Sequence, residues 1–214
     1  MEVILIKTIE KNIETEIVEK KSRFIANAYH VESKKEAEEL IEDIKNKYRD
    51  AKHNCFAFSV YEDNQKYTKC SDDGEPSGTA GVPILNVIEK RDVTNILIVV
   101  TRYFGGILLG TGGLTRAYSL AATTALDGTE IVEMIPGVEL NVKLSYQDSD
   151  NFKNFCEKNK INITNVSFDE LVSYNIEMSE EIFEKYFNDE KYVNNMLAIQ
   201  KYSIKCRKYI KKEE

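Results

Sequence analysis

Asp72, Asp73 and Glu75 place three carboxylates within four residues, in the run SDDGEPSGTAG at 71–81. Carboxylates this close can hold a divalent cation or act as acid and base. The spacing does not fit a calcium loop, and no second carboxylate cluster supplies further ligands. Asp and Gly are also ordinary turn residues. An acidic turn leading into a helix is therefore the favoured reading, and neither a metal nor another cofactor is expected.

The second chemical stretch is NILIVVTRYFGGILLGTGG at 95–113, with five of the ten glycines. An apolar run ends in Arg102, Tyr103 and Phe104. Gly105 and Gly106 follow, and Gly110, Gly112 and Gly113 lead into a helix. Successive glycines let backbone N–H groups converge with no Cβ in the way. A helix N-terminus adds unpaired N–H groups and a positive dipole end. Together they suit a phosphate or carboxylate, with Arg102 and Arg116 as bidentate partners. The same glycines serve equally well for a tight turn and close helix–sheet packing, and spacing alone leaves both readings open. The stretch is neither a Walker loop, which needs Gly-Lys-Ser/Thr, nor a dinucleotide fingerprint, which would want a third glycine at Thr115.

His53 and Cys55 alternate along a predicted strand and share a face. With Cys70 they fall short of the four ligands that zinc usually takes, and packed thiols are favoured over a metal or a nucleophile. His30 stands alone in its strand. Lys52, Lys66, Lys69, Arg91, Arg102 and Arg116 interleave with Tyr61, Tyr67, Tyr103, Phe104 and Tyr118. Such mixing suits single-stranded RNA, whose bases stack on rings and whose phosphates meet cations. A solvated charged surface over core aromatics reads the same way.

The elements that must position these residues follow from periodicity. One or two strands are expected in the first thirty residues, chiefly over Ser22–Val31. A helix opens at Ser33, with Glu36 completing a capping box and Ala37, Leu40, Ile41, Ile44 and Tyr48 on its apolar face. Asn54–Tyr61 alternates as a strand, and Thr68–Gly81 is irregular. A short helix at Ala80–Glu89, a buried strand at Ile96–Val100 and a helix at Leu114–Leu126 complete the glycine-rich half. Glu133–Gly137, with Pro136, separates two styles of sequence. Beyond it come a strand at 138–144, a helix at Asp148–Lys160, a hairpin at Ile161–Phe168 and Leu171–Met178, a helix at Glu180–Asn195 and a strand at Leu197–Cys206. This βαββαβ order is the ferredoxin-like pattern.

The chain has 214 residues, a hydrophobic content of 42% and a net charge of −7. It is long enough for two α+β domains, which we place at 1–134 and 137–210. An acidic chain is a poor general coat for nucleic acid, although a local basic patch is compatible with it. The longest apolar run is too short for a signal peptide or a membrane span. Four cysteines without a CxxC point to reduced thiols and a cytoplasmic protein.

CSDDGEPSGTAGVPIL (Cys70–Leu85) and VVTRYFGGILLGTGGLTRAY (Val99–Tyr118) resemble the two signature blocks of the IMPACT/YigZ family, and HNCFAF (His53–Phe58) resembles its preceding strand. The resemblance implies a β-α-β first domain like domain IV of elongation factor G and the second domain of a small-subunit ribosomal protein. It implies a ferredoxin-like second domain like domain V of that factor. Both structural relatives contact RNA. Eukaryotic members regulate translation by opposing activation of an initiation-factor kinase, through an additional N-terminal domain. Here the family domain begins near residue 1, as in the shorter bacterial type. The resemblance carries the family's fixed positions onto Asp72, Asp73, Gly74, Glu75, Pro76, Gly78, Thr79, Ala80 and Gly81, and onto Arg102, Tyr103, Gly105, Gly106, Gly110, Gly113, Leu114, Arg116, Ala117 and Tyr118, and it implies no catalytic residue. The leading reading is a non-enzymatic factor that binds RNA or the ribosome and acts on translation, with protein partners and no membrane. An enzyme on a phosphorylated small molecule and a pure protein-interaction module are the alternatives.

Overall fold

The three central strands of the first unit's sheet are buried on both sides, which explains their largely apolar sequence. In the computed structural model, which describes residues 5–62, 65–189, 193 and 197–212, the chain divides into two compact units, Ile6–Glu133 and a second unit from Met134 onward. The first unit contains β1 (Ile6–Ile9) and a five-stranded antiparallel sheet of order β2-β3-β6-β4-β5. Its strands are β2 (Ile13–Glu19), β3 (Ser22–His30), β4 (His53–Glu62), β5 (Gln65–Ser71) and β6 (Ile96–Tyr103). Phe24, Ala26, Ala28, Cys55, Ala57, Ile98 and Val100 face α2 (Gly81–Lys90) and α3 (Thr111–Asp127). Phe56, Phe58, Val60, Leu97 and Val99 face α1 (Lys34–Lys47). Alanines at 117, 121, 122 and 125 line the buried side of α3. They meet the alanines of β3 and β4 with little bulk between helix and sheet.

Ser33 caps α1 by accepting from the Glu36 N–H at 3.1 Å. Glu36 returns a carboxylate to the Glu32 N–H at 2.7 Å, one residue before the expected capping-box partner. The two-residue turn between β2 and β3 is made by Lys20 and Lys21, with φ of 45° and 66°. Both sit in the left-handed region, where Asn-Gly is preferred in such hairpins. Gly105 packs on this turn so closely that a Cβ would lie 2.0 Å from the Lys21 carbonyl carbon. Its N–H also donates to Ser22 Oγ at 3.1 Å.

The second unit has β7 (Ile131–Leu144), α4 (Ser149–Lys158), β8 (Asn162–Phe168), β9 (Val172–Ser179), α5 (Glu180–Tyr186) and β10 (Ile199–Lys211). Its strands pair antiparallel in the order β10-β7-β9-β8. Val138, Leu140, Val142, Leu144, Tyr174 and Ile176 form one buried face with Phe152, Cys156, Phe183 and Phe187.

Five expectations need correction. Three strands rather than one or two precede α1. Gln65–Ser71 is regular strand: as a half-exposed edge it carries no strong apolar period. β7 runs unbroken through Pro136, which lies opposite Tyr209 of β10. Helix α3 begins at Thr111, so Gly112 and Gly113 lie inside its first turn. The expected helix at Glu180–Asn195 is observed as Glu180–Tyr186, and positions 190–192, 194 and 195 lie outside the described residues.

Gly105→Ala should cost about 1–3 kcal/mol, because the obstruction is backbone and cannot rotate away. Urea unfolding of the variant checks this, and an unchanged midpoint would refute the close approach.

Candidate functional site

The 71–81 loop is organised by its own carboxylates. Asp72 Oδ2 accepts the Gly78 N–H at 2.8 Å. Its Oδ1 accepts the N–H groups of Ala80 and Gly81, both at 2.9 Å. Ala80 occupies the N-cap of α2 and has no capping side chain, so Asp72 supplies the cap from eight residues upstream. Burial alone would raise the Asp72 carboxyl, but the N–H groups of Gly78, Gly81 and Ala80 outweigh it and hold the group below its usual value. Asp73 Oδ2 accepts the Asn54 N–H at 2.6 Å. The Asp73 carbonyl lies 2.9 Å from His53 Nδ1, so that nitrogen carries the proton.

Glu75 points the other way, into the protein. Its side chain is 4% exposed and accepts from Arg102 Nη1 at 2.6 Å, where the Arg102 side chain is 8% exposed. The same oxygen accepts from the Tyr118 hydroxyl at 2.9 Å. Cys55 Sγ donates to the Asp72 carbonyl at 2.9 Å and lies 3.4 Å from the Tyr118 hydroxyl. Burial pushes the Cys55 thiol up to about 12 and raises the Tyr118 phenol, so neither is a nucleophile at neutral pH. Arg102 lies directly across from Phe24 on β3 and from His53 on β4. Its guanidinium carbon is 5.5 Å from the Phe24 ring centre and 5.6 Å from that of Phe104. Arg102 Nε is buried without a partner.

The structure thus joins the two motif stretches through buried contacts: Glu75 from the first meets Arg102 and Tyr118 from the second. Beyond Arg102 the chain turns outward. Tyr103 donates its hydroxyl to Asp50 at 2.8 Å, which raises its pKa, and its ring lies 5.6 Å from the Arg23 guanidinium carbon. Phe104 is 56% exposed, Ile107 42% and Leu108 83%. Gly110, at φ 70°, caps α3, where a side chain would strain the backbone. Arg116 is exposed, with Nη1 3.7 Å from where a Cβ on Gly112 would stand.

The interleaved cations separate into two groups. Lys69 pairs with Glu38, Arg91 with Asp127 and Arg102 with Glu75. Lys52, Lys66 and Arg116 show no ion pair among the described residues. Sequence reading passed over Lys20 and Lys21, which are exposed and show no ion pair among the described residues; the Lys21 backbone of their turn lies against Gly105. Their only sequence signal is a Lys-Lys pair between two alternating runs, where a hairpin turn ordinarily has Asn-Gly. Among the described residues no group of three or more His, Cys, Asp or Glu is arranged to hold a metal. None of the described helices is long and apolar enough to cross a membrane.

Residues 20–126 match the sequence model of the Impact N-terminal domain. YvyE of Bacillus subtilis (strain 168), an IMPACT family member, is 48% identical over 126 residues, covering 59% of this chain and 58% of that protein. The chain therefore spans little more than half the length of that relative. An IMPACT family member of Haemophilus influenzae is 33% identical over 171 residues, covering 79% of this chain and 83% of the relative. A hypothetical protein of known crystal structure aligns over 98% of both chains at 27% identity, with a TM-score of 0.64.

Removing one partner of the buried pair leaves an uncompensated charge. Glu75→Ala should cost about 3–5 kcal/mol, and Arg102→Met combined with Glu75→Leu should recover most of that loss. Denaturant unfolding of the single and double variants decides it; equal destabilisation of both would contradict the pairing. Asp72→Asn should cost about 1–2 kcal/mol at neutral pH. The folded pKa of Asp72 is depressed, so the carboxylate stabilises fully above the unfolded value near 4 and loses that effect as pH falls through the folded value. The stability gap between wild type and Asp72→Asn should therefore close below about pH 4, and a gap that persists in acid would count against the cap.

Proposed function

The chain belongs to the IMPACT family, and from that premise we propose that it is a non-enzymatic RNA- or ribosome-binding factor acting on translation in the cytoplasm. The observation that carries this reading is the surface around 103–116. It combines cations without acidic partners among the described residues, at Lys20, Lys21 and Arg116, with an exposed Phe104 ring and glycine backbone at Gly105, Gly106, Gly110, Gly112 and Gly113. Cations with aromatic rings on a glycine-rich backbone suit phosphates and bases together. In this reading Arg116 and the free N–H groups opening α3 meet phosphate. Arg102 and Tyr103 hold the strand end from which the loop departs.

The acidic loop favours binding over catalysis. Asp72 and Asp73 are engaged with backbone N–H groups, and Glu75 is engaged with Arg102 and Tyr118. We assign residues 1–134 to a domain like domain IV of elongation factor G. Residues 137–210 are assigned to a ferredoxin-like domain. The βαββαβ element order and the β10-β7-β9-β8 sheet order support the second assignment. The four free cysteines agree with a reducing compartment.

Co-sedimentation with purified ribosomes tests the reading. Wild type should pellet with them in a salt-sensitive manner, and the Lys20→Glu/Lys21→Glu/Arg116→Glu chain should stay in the supernatant. Equal pelleting of both would remove the surface from the proposal, and absence of wild-type pelleting would remove the ribosome.

A further inference from the structure

The hairpin tip and the 104–110 loop are one assembly. Gly105 donates to Ser22 and packs on the Lys21–Ser22 backbone, which fixes Phe104 beside the Lys20–Lys21 turn. One face of the Phe104 ring is covered by the Arg102 guanidinium, itself anchored by Glu75. More than half of the residue's surface remains open. The ring is therefore held in place before any ligand arrives.

The two lysines accept a conformation that disfavours side chains. Strained positions of this kind persist where the surroundings over-determine them, and they concentrate at functional sites. Neither lysine has an acidic partner among the described residues, while neighbouring Arg23 is neutralised by Glu16 at 2.8 Å.

We infer that Phe104 is a stacking platform for an unpaired base of single-stranded RNA whose phosphates lie along Lys20 and Lys21. This rests on the RNA reading above and adds the form of the RNA. A ring presented this way needs an open base face, which a duplex does not offer and a single strand does. Exposed Ile107 and Leu108 would also fit an apolar protein groove. The uncompensated lysines held against the same loop favour a polyanion.

A short fluorescein-labelled oligouridylate, measured beside a blunt RNA duplex across a salt series, tests this. Phe104→Leu keeps an apolar side chain and removes the ring, and it should weaken single-strand binding roughly 5- to 150-fold. Its salt slope should stay unchanged. Lys20→Asn/Lys21→Gly supplies the residues that the turn geometry prefers, so this chain should melt higher than wild type. Its slope of log affinity against log salt should fall by about 0.7 per lysine removed. Wild-type affinity should be lower for the duplex than for the single strand. If wild type binds ribosomes or RNA but Phe104→Leu binds the oligonucleotide equally well, the stacking site is overturned while the broader reading stands. Ile107 and Leu108 would then be left as anchors for a protein. Equal wild-type affinity for single strand and duplex overturns it in the same way. Failure of wild type to bind either RNA or ribosomes removes both.

Discussion

Glu75 and Arg102 form the contact on which the first unit's organisation turns. One carboxylate oxygen receives the arginine from the central strand and the tyrosine hydroxyl from α3. It thereby ties the acidic loop, the sheet and the glycine-headed helix at a single atom. Taking two charges out of water is costly, and good geometry with additional hydrogen bonds is needed to offset it. Tyr118 provides one such bond, and the partnerless Arg102 Nε shows that the offset is incomplete. Such a pair contributes little net stability. Its effect is to specify one arrangement, because any packing that separates Glu75 from Arg102 leaves a buried charge alone.

This division of labour explains the outward chemistry. The residues with the strongest intrinsic capacity for catalysis or anion binding, Asp72, Asp73, Glu75 and Arg102, are spent on internal geometry. The side chains left facing solvent are simpler: lysines, Arg116, one phenylalanine and aliphatics on a glycine-rich backbone. The second unit presents another kind of face. Asn141, Ser173 and Asn175 hydrogen-bond to one another on the side of the sheet away from its apolar core, without an aromatic among them.

Much of the fold was legible because its signals are local. Ser33 with Glu36 marked a helix start, and the Ala- and Thr-rich run after Gly113 marked a helix able to lie close to a sheet. Edge strand β5 was missed because its side chains are half exposed and leave no strong period. Pro136 suggested a break, but β7 accommodates it within the sheet. The site was less legible, since its defining contacts are long-range. Nothing in a row of letters distinguishes an arginine that will face water from one that will meet a glutamate 27 residues earlier. Lys20 and Lys21 gained meaning only through a glycine far along the chain, Gly105, which packs on the Lys21–Ser22 backbone of their turn.

The position of β6 sets the order in which the molecule can be assembled. Its two neighbours, β3 and β4, are each paired locally with the adjacent strand in sequence, as hairpins β2–β3 and β4–β5. Neither hairpin touches the other within the sheet, and only β6 unites them. Two-stranded ribbons are marginal in water, so a growing chain has no stable sheet until Ile96–Tyr103 has left the ribosome. The strand that closes the sheet also carries Arg102, the buried partner of Glu75. Such a topology loads its slow, non-local step onto a single strand, and until then both inner edges stand open to any other extended chain.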